Sequence, residues 1–246
     1  MSPEHTPPSL LYRTMVIQPD EPREGSPHCA ANDVLAAIRL KPPSFFQQTH
    51  HLMLNHTGGY DVKSILEVCT GVENLWLWNA EEPWIPLIES YPLVHLYTSY
   101  TLLRSLPPTH GLFSRLTHLE LLGAVDDTDT TCAAVVALPQ LTHLSFSDSR
   151  FVPLCLLVLE SCPSLRVLVC INSHAMHAAD SAEGLARDVR FVVASRRDFV
   201  DDWVSGIQRG TDYWHRAESF IAARQDRQID PLRYYVGEEI IHRSLL

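Results

Sequence analysis

An apolar–x–x–Leu–x–apolar pattern recurs along most of the chain. It recurs in VENLWL, LVHLYT, LTHLEL, LTHLSF and LRVLVC, with Thr98 at the last apolar position of LVHLYT, and a sixth segment, THHLML, keeps Leu52 and Leu54. The central leucines are Leu52, Leu75, Leu96, Leu119, Leu144 and Leu168, which gives a spacing of 21 to 25 residues. VRFVVA, around Val192, is a seventh candidate. Each segment alternates apolar residues over a few positions, so each predicts one short strand.

Short segments with helical spacing separate these predicted strands. Examples are DVKSILEVC, PWIPLIES, CAAVVAL and VPLCLLVLESC, and prolines stand before several of the next strands. A strand and a helical return in every roughly 20 to 29 residues are typical of leucine-rich repeats. We therefore expect an α/β leucine-rich-repeat solenoid. Its curved parallel sheet would lie on the concave side, with the short helices on the convex side.

The N-terminal part lies outside the repeat pattern. Residues 1–9 and 18–28 are rich in Pro, Glu and Ser, which predicts poor order. Between them, LLYRTMVIQ (10–18) reads as a strand that pairs with the first repeat, and ANDVLAAIRL (31–40) predicts a helix. We expect a disordered segment over 1–9, followed by a repeat domain over 10–195.

Two amphipathic helices are predicted after the repeats, in a C-terminal cap and tail over 196–246. The first has apolar residues at helical spacing: Val200, Trp203, Val204 and Ile207. The second is expected to begin at a Thr211 cap, with Trp214, Ala217 and Ile221 on one face and Tyr213 and Phe220 beside it. Because the open end of a solenoid must be covered, the tryptophans are interpreted as the core of this cap. The other interpretation is that these tryptophans line a peptide-binding groove.

Composition and charge narrow the function classes. The net charge is −10, and residues 1–184 hold 9 Lys+Arg against 19 Asp+Glu. An acidic body without a basic stripe argues against nucleic-acid partners and anionic membranes. No apolar run is long enough for a membrane helix, and the N-terminus lacks a secretory pattern, so we expect a cytoplasmic or nuclear protein. The six cysteines show no C-x-x-C pair and are expected to be buried, reduced thiols.

Residues that flank the central leucines should face the opposite side of the sheet, because side chains alternate along a strand. On the concave face we expect a partner-binding surface that contains Trp76, Trp78, Tyr97, His95, His118, Glu120 and His143. Exposed aromatic side chains are typical binding anchors. A loop or terminal segment folded over the aromatic residues is the other interpretation.

Three of these residues, His95, His118 and His143, fall on successive strands roughly 4.8 Å apart. Such a ladder has three interpretations: a row of solvated polar residues, a pH-linked surface, or a metal site. Stacked imidazoles repel each other when protonated, which lowers their pKa and couples binding to pH. Parallel rings do not converge on one ion, however, so no metal is assigned to them.

Catalytic motifs are scarce. The sequence has no G-x-S-x-G, G-x-G-x-x-G, Walker loop or H-E-x-x-H, so we expect no enzyme activity and no cofactor. The best metal candidate is the group Cys170, His174, His177 and Asp180. The rival function is accordingly a metal-dependent hydrolase or metal-binding protein that uses the histidine-rich segments, and a third possibility is a chain with no selected partner.

Several stretches resemble leucine-rich-repeat proteins of mushroom-forming fungi, many of them described as F-box-like. They are LLYRTMVI, LEVCTGVENLWLW, LTHLEL, CPSLRVLV and the tail RFVVASRRDFVDDWVSGIQRGTDYWHRAESFIA. The resemblance implies a substrate-recognition arm of an F-box-type ubiquitin ligase subunit, with an unidentified protein as partner. In such proteins the F-box lies upstream of the LYR strand, where this chain has nine residues. The resemblance therefore implies that the F-box is absent, and adaptor binding is not expected.

Overall fold

The structure is a computed structural model that describes residues 12–19, 27–123, 127–147, 152–171, 184–195 and 198–236. Its centre is a ten-stranded sheet in which all pairs of neighbouring strands are parallel. The strands are β1 Thr14–Gln18, β2 His28–Ala30, β3 His51–Leu54, β4 Asn74–Leu77, β5 His95–Ser99, β6 His118–Leu122, β7 His143–Phe146, β8 Val167–Ile171, β9 Phe191–Ala194 and β10 Tyr235–Val236. From β3 to β10 the spatial order follows the chain, and β1 lies between β3 and the edge strand β2.

An α-helix follows each strand from β2 to β7, as the sequence pattern predicts, and two consecutive α-helices follow β9. These helices are α1 Ala31–Leu40, α2 Val62–Val68, α3 Ile85–Glu89, α4 Tyr100–Ser105, α5 Thr128–Val136, α6 Val152–Ser161, α7 Phe199–Arg209 and α8 Tyr213–Gln225. Asp61 and Asp127 cap α2 and α5 by accepting hydrogen bonds from backbone N–H groups in the first turn. These caps fix where two of the helical returns begin.

One face of the sheet carries the central leucines and is called the leucine face. All six are fully buried, and they pack with apolar residues of α1 to α6 in one continuous core. The predicted inward direction of these leucines is therefore confirmed. Because each repeat completes the core of its neighbour, the leucine face explains why the pattern recurs at a nearly constant spacing.

The N-terminal prediction is confirmed for β1, which pairs with β3, and for α1, which has the predicted bounds. The prediction of poor order is wrong where β2 begins at His28, because β2 pairs with β1 through a bond from Val16 N to Pro27 O and extends the sheet by one strand. Residues 1–9 lie outside the described residues.

The two predicted C-terminal helices form, and we call them together the helical hairpin (199–225). The second begins one residue later than predicted: Asp212, rather than Thr211, is the N-cap, because its carboxylate accepts from His215 N. An ion pair between Arg216 and Asp202, at 2.8 Å, joins the two helices. After the hairpin the chain returns to the sheet as β10, beside β9.

The helical hairpin packs on the face of the sheet opposite the leucines, which we call the histidine face. A second apolar cluster fills this interface and combines strand residues such as Trp76 and Val169 with hairpin residues such as Trp203 and Phe220. The described part of the protein therefore has helices on both faces of its sheet. No helix in this part is long and apolar enough to span a bilayer.

Candidate functional site

The histidine face carries two rows of side chains that run across the strands. Strand pairing aligns the first row as His51, Asn74, His95, His118, His143 and Val167. The second row, two residues further along each strand, is Met53, Trp76, Tyr97, Glu120, Ser145 and Val169. The register predicted from the repeat is confirmed in both rows.

His95, His118 and His143 form a stacked ladder. The ring centroids of His95 and His118 are 3.9 Å apart with an interplanar angle of 13°, and those of His118 and His143 are also 3.9 Å apart, at 10°. Each histidine is the first residue of its strand, so the ladder follows the amino-terminal edge of the sheet. The parallel strand spacing imposes this stacking, because equivalent side chains in adjacent repeats have the same direction.

The residue before each ladder histidine determines whether the Nδ1 atom of that histidine has a hydrogen-bond partner. In the two LTHL repeats, the Oγ1 of Thr117 and of Thr142 lies 2.8 Å from Nδ1 of the following histidine. In the LVHL repeat Val94 takes this position and has no hydroxyl. Within the described part of the chain, the buried Nδ1 of His95 accordingly has no hydrogen-bond partner.

Burial lowers the pKa of the ladder histidines, and neighbouring imidazoles lower that of His95 and His118 further. The pKa of His95 falls to about 4 and that of His118 to about 2. Burial also lowers the pKa of His143, although the Glu218 carboxylate, 3.1 Å from its Nε2, acts in the opposite direction. His51 begins β3 in the same row, and burial lowers its pKa to about 4. The imidazoles of His51, His95 and His118 are therefore neutral at pH 7.

Two tryptophan side chains of the helical hairpin donate hydrogen bonds to polar residues of the histidine face. Trp203 Nε1 donates to Asn74 Oδ1 at 3.1 Å, and Trp214 Nε1 donates to the Tyr97 hydroxyl at 3.2 Å. These bonds connect residues that are 129 and 117 positions apart in the chain. The hairpin is therefore held in one register on the sheet by directional contacts as well as by apolar packing.

Glu120 is fully buried beneath α8. The Tyr213 hydroxyl donates to Glu120 Oε2 at 2.9 Å, and the same hydroxyl lies 2.9 Å from Ser145 Oγ. The Glu120–Tyr213 contact gives a buried acidic side chain a hydrogen-bond donor, which reduces the cost of removing it from water. Tyr213, which the sequence pattern placed only beside the helix face, is therefore a central contact of the hairpin.

Aromatic rings stack at the interface between β4, β5 and α7. The Trp76 ring is stacked on Tyr97 at 4.9 Å and on Phe199 at 5.2 Å. Trp214 stands nearly perpendicular to His118 and His143, at 5.4 and 5.8 Å. The aromatic side chains predicted to cluster on adjacent strands do so, but the hairpin shields most of their surface.

The expectation that the predicted partner-binding residues are open to solvent is wrong for most of them. Glu120 and His143 are buried, and Trp76 and Tyr97 are each only 3% exposed. His95 and His118 are partly buried. The cause is the helical hairpin, whose apolar and hydrogen-bonding residues match those of the histidine face. Trp78 is the exception, with half of its surface exposed.

Trp78 lies just beyond the carboxyl end of β4. Ser99 N donates to Trp78 O at 2.7 Å, which keeps the end of β5 beside it. Its ring reaches the end of β6, where a Cβ placed on Gly123 would lie 3.8 Å from Trp78 Cζ2. Gly123 has a φ of 81°, a backbone conformation that residues with a side chain rarely adopt. Phe199, 36% exposed, stacks on Trp76 two residues before Trp78.

Two arrangements on this face invite a chemical interpretation. Thr142, His143 and Glu218 align a hydroxyl, an imidazole and a carboxylate. The same threonine–histidine contact recurs at Thr117 and His118, where the described residues provide no matching carboxylate contact. The contact therefore reflects the LTHL strand start and does not identify a nucleophile. The imidazoles are stacked face to face, and the described residues contain no group of three side chains that could hold a metal ion.

The cysteine-containing metal candidate is only partly within the described residues. His174, His177 and Asp180 lie outside them. The Sγ of Cys170 lies 3.5 Å from that of Cys155, and both residues are buried. The prediction of buried, reduced thiols is confirmed for five of the six cysteines, and Cys29, also unpaired, is partly buried.

Comparison with known proteins adds no assignment. Neither a scan against protein-family models nor a search of curated proteins finds a match for this chain.

Proposed function

We propose that the chain is a leucine-rich-repeat solenoid that works as a non-enzymatic protein-interaction module. Support for the repeat class comes from the spacing of 21 to 25 residues, from the buried central leucines and from the all-parallel sheet with helical returns. Proteins of this architecture present extended surfaces to other macromolecules.

The observation that carries this proposal is the pair of exposed aromatic residues, Trp78 and Phe199, at the carboxyl end of β4. Both are large; Phe199 stacks on the buried Trp76, and Trp78 lies two residues beyond Trp76 in the chain. Aromatic anchors with little conformational freedom to lose are the residues that dominate protein–protein interfaces. We call this pair the aromatic patch, and it replaces the wider surface expected from the sequence.

A ligase role is a further part of the proposal and is supported by the resemblance alone. In an F-box-type ubiquitin ligase subunit, this domain would be the substrate-recognition arm, and the aromatic patch would contact the substrate. A cytoplasmic or nuclear location would suit this role. Among the described residues, nothing favours the metal-dependent hydrolase.

The test is capture of binding proteins from native extract with the tagged full chain at pH 7.5, followed by direct binding to the purified candidate. Trp78→Ala should reduce the affinity by at least about tenfold, as expected for an aromatic anchor. The matched control is Leu40→Ala, because Leu40 is 84% exposed at the end of α1. A partner that binds both variants equally well would remove the aromatic patch from the proposal, and the absence of any partner would remove the proposal itself.

A further inference from the structure

We propose that the helical hairpin is an acid-sensitive cover: protonation of the stacked histidines releases it from the histidine face and uncovers Trp76 and Tyr97 beside the aromatic patch. This inference rests on the proposed function only where it takes the uncovered surface to be a binding surface. The conformational change itself is independent of any partner.

The geometry of the ladder makes added protons costly while the hairpin is docked. Three imidazoles are stacked at centroid distances of 3.9 Å. If two neighbouring imidazoles were protonated, their positive charges would repel each other strongly at this distance. Trp214 of α8 packs against His118 and His143 and limits their access to water. Release of the hairpin removes this desolvation.

The charged groups around the ladder offset only part of this repulsion. On the hairpin side, Glu218 faces His143 and can stabilise one imidazolium. On the sheet side, Arg166 lies beside His143 and opposes its protonation. Glu120 lies two residues beyond His118, with Oε2 bonded to Tyr213.

At the other end of the row, His51 is flanked by His50, Arg13 and Glu73. His51 also adds to the repulsion at His95. His95 and His118 therefore remain the two ladder positions without a carboxylate on their own imidazoles among the described contacts.

Linkage fixes the direction of the effect. Docked, the histidines have depressed pKa values, whereas an exposed histidine has a pKa of about 6.5, so the released form binds more protons below that pH. Docking is thus fully stable above about pH 6.5 and weakens as the pH falls from 6.5 towards 4. At pH 5 each histidine that becomes fully exposed favours release by at most about 30-fold, because the imidazoles stay stacked on adjacent strands after release.

The attachments of the hairpin permit its release without loss of the sheet. Arg224, near the end of α8, donates to the carbonyl oxygens of Ala186, Phe191 and Pro231, and β10 remains paired with β9. The contacts to the ladder and to Trp76 come instead from α7 and the first half of α8. Release is therefore a swing of the hairpin about its β9–β10 end.

The experiment follows the full chain from about pH 7.5 to about pH 4, with tryptophan emission reporting the hairpin and far-UV circular dichroism reporting the sheet and helices. Three of the five tryptophans, Trp76, Trp203 and Trp214, lie in the hairpin interface. The expected result is a red shift of the emission with a midpoint between about pH 5 and 6.5, at constant far-UV signal.

A double variant, His95→Gln with His118→Gln, should move this midpoint down by at least about one pH unit, because two proton-binding groups are lost. The control, His215→Gln, removes an exposed histidine of α8 and should leave the midpoint unchanged. If the double variant does not fold at pH 7.5, His118→Gln alone should give a smaller shift in the same direction. The proposal is overturned by a midpoint that ignores the ladder variants, by no transition above pH 4, or by simultaneous loss of the far-UV signal.

Discussion

Val94 lacks the hydroxyl group that Thr117 and Thr142 provide at the same position of the next two repeats. Besides contacting its histidine, Thr117 Oγ1 lies 3.3 Å from Val94 O, and Thr142 Oγ1 lies 3.3 Å from Thr117 O. A hydroxyl at this position therefore bridges a histidine Nδ1 and the carbonyl of the preceding strand. At Val94 the bridge is missing, although the backbone bond from Val94 N to Glu73 O is present and holds the same register.

Val94→Thr should stabilise the protein by about 1 kcal/mol, because the new hydroxyl can satisfy the buried Nδ1 of His95 and reach Glu73 O. Denaturant unfolding at pH 7.5 measures the change. The matched control is Thr142→Val, which removes an existing bridge and should destabilise by a similar amount. If Val94→Thr is neutral or destabilising, the bridge does not contribute the energy assigned to it.

The helical hairpin shows the limit of what a repeat pattern predicts. The helices themselves follow from apolar spacing, because Trp203 and Trp214 each share a face with apolar neighbours. The surface against which those faces pack could not be predicted in the same way, because amphipathic spacing identifies an apolar face and not its partner. The bond from Trp203 to Asn74 spans 129 residues, and no local pattern contains it.

The strands and their register were predictable for the opposite reason. Adjacent repeats pair residues that occupy the same position in each repeat, so the alignment of His95 with His118 could be read from the positions of the leucines alone. β2 and β10 carry no repeat leucine, and each is short, so neither has a recognisable sequence pattern. Their pairing depends on strands already present in the sheet.

Tyr213→Phe tests whether the contact between Tyr213 and Glu120 helps to hold the hairpin beyond its apolar packing. The substitution keeps the ring and removes the hydroxyl that donates to Glu120, which leaves a buried acidic group with one donor fewer. A cost of about 1 to 3 kcal/mol is expected for such a loss. Amide hydrogen exchange at pH 7.5 should accelerate in α7 and α8 by about 10- to 100-fold, with β5 and β6 less affected.

The control for this prediction is Tyr60→Phe. Its hydroxyl donates to Asn55 O in the loop after β3, away from the hairpin contacts described above. Exchange in α7 and α8 should be unchanged in this variant. Equal exchange in both variants would mean that the Tyr213–Glu120 contact does not help to hold the hairpin on the sheet.

At the scale of the whole molecule, the helical hairpin connects repeats that do not contact one another directly. In a simple repeat array each unit touches only its neighbours, so distant repeats can unfold independently. Here Trp203 contacts β4, Trp214 contacts β5, and Glu218 contacts β7, while the end of α8 is fixed beside β9. The hairpin is thus a brace across at least six strands.

This brace predicts a single cooperative unfolding transition at pH 7.5. Leu52→Ala and Leu168→Ala remove buried side chains from β3 and β8, near opposite ends of the repeats, and each should destabilise by about 2 to 5 kcal/mol. Because the brace couples the ends, both variants should shift the same denaturant transition, with tryptophan emission and far-UV circular dichroism coincident. Separate transitions in either variant at pH 7.5 would show that the repeats unfold independently despite the hairpin. At about pH 5, where the hairpin is expected to be released, the two signals should diverge, because the remaining repeats are then coupled only through their neighbours.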